Sequence, residues 1–217
     1  SVDKLYDGSL EVVVPDHIIE DFYSEKPVFL PEQKNVIYPN LYLVLKSDVD
    51  DKKTAICRFK NYETPLRKVF TYRDVWGLSA KNKEQKFAMD LLFDKDIHIV
   101  SLTGQAGTGK TLIAAACGLE QVLHSSKSQG GYDKLIITRP VQPMGRDIGF
   151  LPGTLEEKMM PWIAPLRDNL EYLFGDKTAL DMHMEQGVVE IEAMTYIRGR
   201  SISNAFMIVD EAQNLTA

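Results

Sequence analysis

Apolar and polar positions follow two regimes along the chain. In the first third they come as short runs broken by turn residues. Ser9-Leu10-Glu11-Val12-Val13-Val14 predicts a strand, closed by Pro15-Asp16. Asp16 is placed to cap a short helix from Ile18 to Tyr23, with Ile18, Ile19 and Phe22 on one side. Three prolines punctuate the stretch from Lys26 to Pro39, where only Val28-Phe29-Leu30 reads as extended. The runs Leu41 to Lys46 and Thr54 to Lys60 flank a polar connection and predict a hairpin, and Leu66 to Phe70 suggests one more strand. Residues 1–72 therefore read as a small β-rich, barrel-like domain.

Beyond residue 72 the period changes. Asn82 to Phe93 carries helical spacing, with Phe87, Leu91 and Leu92 on one face. Ile97 to Leu102 is an apolar, branched run that predicts a buried strand, and a helix starts after Lys110. Lys134 to Arg139 predicts a strand ended by Pro140, and an irregular, glycine- and proline-rich excursion follows from Val141 to Gly153. Thr154-Leu155-Glu156-Glu157 is a capping box for a helix to Phe174, which Pro161 and Pro165 should kink or split. Thr178 to Gln186 predicts a helix, Val188 to Ile191 a strand, and Ala205 to Val209 a last strand. Strands alternating with helices predict an α/β core with a mostly parallel sheet over 73–217.

Composition narrows the partners. A chain of 217 residues fits one medium domain plus a small one. The net charge of −6 argues against nucleic-acid binding through bulk charge but leaves room for a local basic patch. Cys57 and Cys117 lie far apart, which argues against a disulfide framework and fits a reducing, cytoplasmic location. His17, His98, His124 and His183 show no metal-ligand spacing. No apolar run approaches the ~20 residues that span a bilayer, so no membrane partner is expected. No signal peptide is visible, and Ser1 in place of methionine suggests a fragment of a longer protein. The aromatics of residues 1–72 are either core residues or a stacking surface for bases.

The chemistry concentrates where the predicted strand 97–102 ends. Gly104-Gln105-Ala106-Gly107-Thr108-Gly109-Lys110-Thr111 completes G-x-x-x-x-G-K-[ST] between a strand and a helix. Glycines let the backbone N–H groups converge on phosphates, and the helix N-terminus adds unpaired donors. Lys110 would reach the β- and γ-phosphates, and Thr111 would ligate Mg²⁺. About a hundred residues later the apolar run Ala205 to Val209 ends in Asp210-Glu211. A buried strand closing on two carboxylates has the form of a Walker B element. Asp210 would hold Mg²⁺, and Glu211 would activate the attacking water. Gln85 is open to two roles: a return bond in a capping box begun at Asn82, or an adenine contact from a helix just ahead of the phosphate loop.

These motifs together resemble the PhoH-like ATPase family. The likeness is carried by Ile136-Ile137-Thr138-Arg139-Pro140-Val141 and Ile148-Gly149-Phe150-Leu151-Pro152-Gly153. Glu157-Lys158, Pro161-Trp162 and Pro165-Leu166 extend it. So do Arg198-Gly199-Arg200, Asn204-Ala205-Phe206 and Asp210-Glu211-Ala212-Gln213-Asn214. The resemblance implies a RecA-like P-loop NTPase core similar to the first motor domain of superfamily 1 helicases. In those proteins a glutamine ahead of the loop reads adenine, which favours that role for Gln85. Gln213 falls where the family's Asp-Glu-x-Gln box places a phosphate or water contact. Residues 1–72 are similar to the β-rich segment between a PIN nuclease domain and the PhoH core. That implies an N-terminal PIN ribonuclease absent from this chain; the resemblance of the core implies a sensor strand and a phosphate-contacting arginine beyond Ala217. An arginine finger is worth about 10³–10⁵ in rate in related NTPases, so the chain alone is expected to turn over slowly or not at all.

Two functions are compatible with this reading. One is Mg²⁺-dependent ATP binding and hydrolysis coupled to RNA handling. The other is a nucleotide-dependent assembly module, a homo-oligomeric ring with weak ATPase activity. A kinase fits less well, since no acceptor-binding motif appears and an Asp-Glu pair suits attack by water. Arg139, Arg198 and Arg200 remain open as contacts to RNA, phosphate or a neighbouring subunit, or as surface ion pairs.

Overall fold

The computed structural model describes residues 8–31, 37–125, 131–140, 155–197 and 199–215, and side chains within these except at 155–158. The capping residue Thr154, the excursion Val141 to Gly153 with its share of the family motifs, and Arg198 lie outside the described residues. The chain divides into two compact units, Ser1–Thr71 and Tyr72–Ala217.

In the first unit, strand β1 (Ser9–Val14) runs parallel to β2 (Tyr42–Ser47). Strand β3 (Thr54–Arg58) returns antiparallel to β2, and the two-residue β4 (Arg67–Lys68) pairs with β3. Parallel pairing of β1 and β2 needs a crossover, and helix α1 (Asp16–Tyr23) lies within it. Along β1, Val12 and Val14 turn inward while Val13 is 68% exposed, the two-residue alternation of a sheet with one covered face. Ile19 and Phe22 bring α1 onto that face with Leu43, Leu45 and Phe59.

Two expectations change here. The sheet order is β1-β2-β3-β4, an open sheet with β1 and β4 as its edges among the described residues, rather than a barrel. A two-residue β4 is too short to carry a ladder round to β1. Asp16 is also not the helix cap. It sits inside the first turn, after Pro15 at the cap position. Its carboxylate instead takes Ser47 Oγ at 2.7 Å and Lys53 Nζ at 2.6 Å, tying the helix start to the end of β2 and to the residue just before β3.

In the second unit, helix α2 (Lys83–Leu92) is capped by Asn82, whose side chain accepts from the Gln85 backbone N–H. Its inward residues are Phe87, Met89 and Asp90, with Leu91 only half-buried. Helix α3 (Lys110–Leu119) is apolar all round and almost wholly buried, as a helix enclosed by other elements must be. It continues into a π-helical turn, Glu120–His124. Strand β5 (Lys134–Arg139) is central and parallel to both β6 (Val189–Ala193) and β7 (Ala205–Val209). Leu135, Ile136 and Ile137 are buried on both faces, which explains their continuous apolar run. Helix α4 (Leu155–Phe174) runs through Pro161 and Pro165 without being split. Leu166 and Leu170 bury fully on one stripe, so packing outweighs the two lost hydrogen bonds. Helix α5 (Lys177–Glu185) is capped by Asp176. A short α6 (Met194–Ile197) follows β6 directly.

The main departure is at 97–102. This segment is not a strand, and Ile99 is 88% exposed. An apolar run becomes a buried strand only when neighbours supply ladder bonds and cover its faces. Among the described residues, no strand pairs with it; the sheet is β6-β5-β7. Leu102 alone packs against the core.

Candidate functional site

The site lies where α3 begins and where β5 and β7 end. The phosphate-type loop reverses through Gly107 and Gly109, at φ of 78° and 84°, a conformation that side-chain-bearing residues seldom adopt. Gly104 stands at φ 155°. Gln105, Ala106 and Thr108 are exposed, and Thr108 Oγ1 donates to Gln105 O at 2.9 Å to tighten the loop. Lys110 folds back over it, its Nζ donating to Gly104 O and Gln105 O at 2.8 Å each. The ammonium is thus held above the loop by the loop's own carbonyls.

Thr111, one residue into α3, donates from Oγ1 to Asp210 Oδ1 at 2.7 Å. This bond joins residues 99 positions apart. Asp210 reaches it because the Asp210 N–H donates to Thr138 O at 2.8 Å, extending the β5–β7 ladder one residue past β7. The second carboxylate oxygen of Asp210 accepts from Arg139 Nη2 at 2.5 Å and Nε at 3.1 Å. Arg139 is the last residue of β5, so register places it beside the end of β7.

Glu211 is exposed and has a left-handed backbone, φ 52°. That conformation costs a non-glycine residue roughly 1–2 kcal/mol. It turns the chain away from the sheet into the 3-10 turn Ala212–Asn214. Gln213 Nε2 donates to Glu211 Oε2. Gln85 sits against the loop from the other side: Nε2 donates to Thr108 O at 3.3 Å, and Oε1 accepts the Lys81 N–H at 2.7 Å. The capping box closes only in part, because the return bond goes to Lys81 and not to Asn82.

The structure thus gathers Gln85, the loop Gly104 to Thr111 and Asp210, with Glu211 and Gln213 next to Asp210. Arg200 is elsewhere, bound to Glu190 and Glu192 at 2.8 Å each. Burial works against the charge of Glu190, but hydrogen bonds from Lys134 and Arg200 outweigh it and hold its carboxyl below the usual range. Arg139, which the sequence leaves open between RNA, phosphate, a neighbouring subunit and a surface ion pair, pairs here with Asp210. Its only signal was an arginine closing a buried strand just before proline. The donor set suits a small hard cation, since a hydroxyl and a carboxylate oxygen converge at the mouth of a phosphate-type loop. Among the described residues, no group of three or more His, Cys, Asp or Glu side chains offers another metal site. No described helix is long and apolar enough to cross a membrane.

A parallel α/β sheet, a glycine loop opening a buried helix, and a carboxylate at a strand end hydrogen-bonded to that helix define a P-loop NTPase-type core. The chain belongs to the PhoH-like protein family, whose model matches residues 77–217. It is similar to Protein PhoH2 of Bacillus subtilis (strain 168), 41% identical over 99% of this chain and 49% of that protein. Protein PhoH2 of Mycolicibacterium smegmatis is 44% identical over 66% of this chain and 32% of its own length. Protein PhoH of Escherichia coli (strain K12) is 38% identical over 67% of this chain and 39% of its own. The chain therefore spans half or less of each of these relatives.

Proposed function

We propose that the unit Tyr72–Ala217 binds ATP with Mg²⁺ and supplies the loop, metal-holding and water-activating residues for its hydrolysis, as the helicase-like motor part of a longer protein that handles RNA. The observation that carries the nucleotide reading is the 2.7 Å bond from Thr111 to Asp210. It joins the start of the loop helix to the end of β7, whose hydroxyl and carboxylate oxygens would together hold the metal of a Mg·nucleotide. Thr111 and Asp210 would hold the cation, which when bound would offset charge on the phosphate oxygens. The N–H groups of Gly104 to Thr111 receive the phosphates, and Lys110 exchanges its loop carbonyls for phosphate oxygens. Gln85 keeps an amide at the rim of the loop, within reach of the base. Glu211 accepts the proton of the attacking water, and Gln213 orients that carboxylate. Coupling to RNA, a cytoplasmic location and a ring-shaped homo-oligomer rest on the resemblance of the motifs to helicase-like PhoH cores.

Calorimetric titration with a non-hydrolysable ATP analogue and MgCl₂ tests the site. Lys110→Ala is expected to weaken binding by about tenfold to a hundredfold, the scale of one or two charge-assisted hydrogen bonds. Glu211→Gln is expected to leave binding intact and to stop turnover in the longer protein. Equal affinity in wild type and Lys110→Ala would remove the assignment. An RNA-independent ATPase rate in the longer protein, with a mass that changes on adding ATP, would favour an assembly module instead.

A further inference from the structure

Arg139 is not part of the phosphate loop, yet it makes the shortest bond to the carboxylate that a metal would use. Both oxygens of Asp210 are occupied by protein donors: Thr111 on Oδ1 and the Arg139 fork on Oδ2. The pair is shielded, with side-chain exposures of 21% for Arg139 and 13% for Asp210. A carboxylate this enclosed needs a countercharge at all times, because an unpaired buried charge is strongly unfavourable. A guanidinium and a hydrated divalent cation are alternative countercharges, and the two Arg139 N–H groups already take both acceptor directions of Oδ2. Lys110 shows the same logic across the site, with its ammonium parked on loop carbonyls.

We propose that Arg139 is a built-in counter-ion of the metal site: it neutralises Asp210 while the site is empty and gives way when Mg·nucleotide loads. Arg139 is then a positioning residue. It keeps Asp210 aimed at Thr111 and sets the magnesium concentration at which the site fills, because loading must break the Arg139 fork. The inference rests on the Mg·ATP reading above.

The test uses the full chain with a fluorescent N-methylanthraniloyl-ADP, titrated with MgCl₂, alongside thermal melts. Arg139→Gln removes the competing charge. The magnesium concentration needed for half-saturation is expected to fall by about tenfold, the scale of one charge-assisted hydrogen bond. In EDTA without nucleotide the variant is expected to melt below wild type, and the gap should close in saturating Mg·nucleotide. Arg139→Lys keeps the charge but loses the two-bond fork, so its magnesium requirement should fall between the two. An unchanged or raised magnesium requirement, or a melting gap of equal size with and without Mg·nucleotide, would reduce Arg139 to a structural ion pair and overturn the proposal. If wild type binds no Mg·nucleotide, the functional reading fails and this inference with it. If wild type binds, Lys110→Ala binds more weakly as expected, and Arg139→Gln matches wild type in magnesium requirement, the inference alone fails.

Discussion

Gly118 is where the fold and the site can be tested by one methyl group. It lies on α3 facing the sheet, and a Cβ there would meet Leu135 Cδ1 and Phe206 Cδ1 at 2.8 Å and Phe206 Cε1 at 3.1 Å. Non-bonded carbons rest at about 3.5–4.0 Å, so two neighbours must each retreat by roughly 0.7 Å or more. Neither has an easy path. Leu135 is fully buried on the central strand, and the Phe206 ring is braced edge-on by Tyr132 at 5.5 Å. Overpacking of this kind costs about 1–3 kcal/mol. Alanine's better helix propensity returns about 0.5–1 kcal/mol. At the middle of these ranges Gly118→Ala should destabilise by about 1 kcal/mol, and at about 2–4 °C per kcal/mol for a chain of this size the melting temperature should drop by roughly 2–4 °C. The helix that must shift carries Lys110 and Thr111 at its start, so nucleotide affinity should weaken alongside stability. Thermal unfolding followed by circular dichroism, with calorimetry on the same samples, measures both. A variant that melts at or above wild type would refute the reasoning, since helix propensity would then outweigh a contact claimed to be tight.

Two further outcomes follow from the buried and paired groups. Burial pushes both thiols up to about 12, with a smaller push on Cys117 from Glu120, so neither Cys57 nor Cys117 should react with a thiol reagent at pH 8 until the protein unfolds. Rapid labelling of the native protein would contradict this. Each thiol contributes stability below its unfolded pKa of about 8.5 that is lost as pH rises through 12. Glu190 behaves in the opposite sense, because its carboxyl is held below the usual range. Its contribution is present above an unfolded pKa of about 4.3 and is lost as pH falls through its folded value. The stability difference between wild type and Glu190→Gln should shrink below about pH 4, where the unfolded carboxyl also protonates. A difference that stays constant from pH 7 to pH 3 in denaturant titrations would show that the ion pairs are not its source.

The chain itself determined the elements whose signals are local. β1, the β2–β3 hairpin, α2 with its Asn82 cap, β5 and β7 are legible from periodicity, capping residues and turn residues, all of which act within a few positions. The glycine loop before α3 and the Asp210-Glu211 pair after β7 were legible for the same reason: each is a local run of particular residue types at fixed spacing. Other features were decided by partners distant in sequence. The run 97–102 has the pattern of a strand but finds no described ladder partner, and pattern cannot supply a neighbour. α4 survives two prolines because Leu166 and Leu170 are buried, a gain invisible to propensity. Asp16 was claimed by Ser47 and Lys53, about 30 positions away, and not by its own helix. Arg139 meets Asp210 only because β5 and β7 lie parallel and in register across 71 residues of chain. A sequence can name a cation and a carboxylate; only the folded sheet brings them within hydrogen-bonding distance, where desolvation makes their pairing matter.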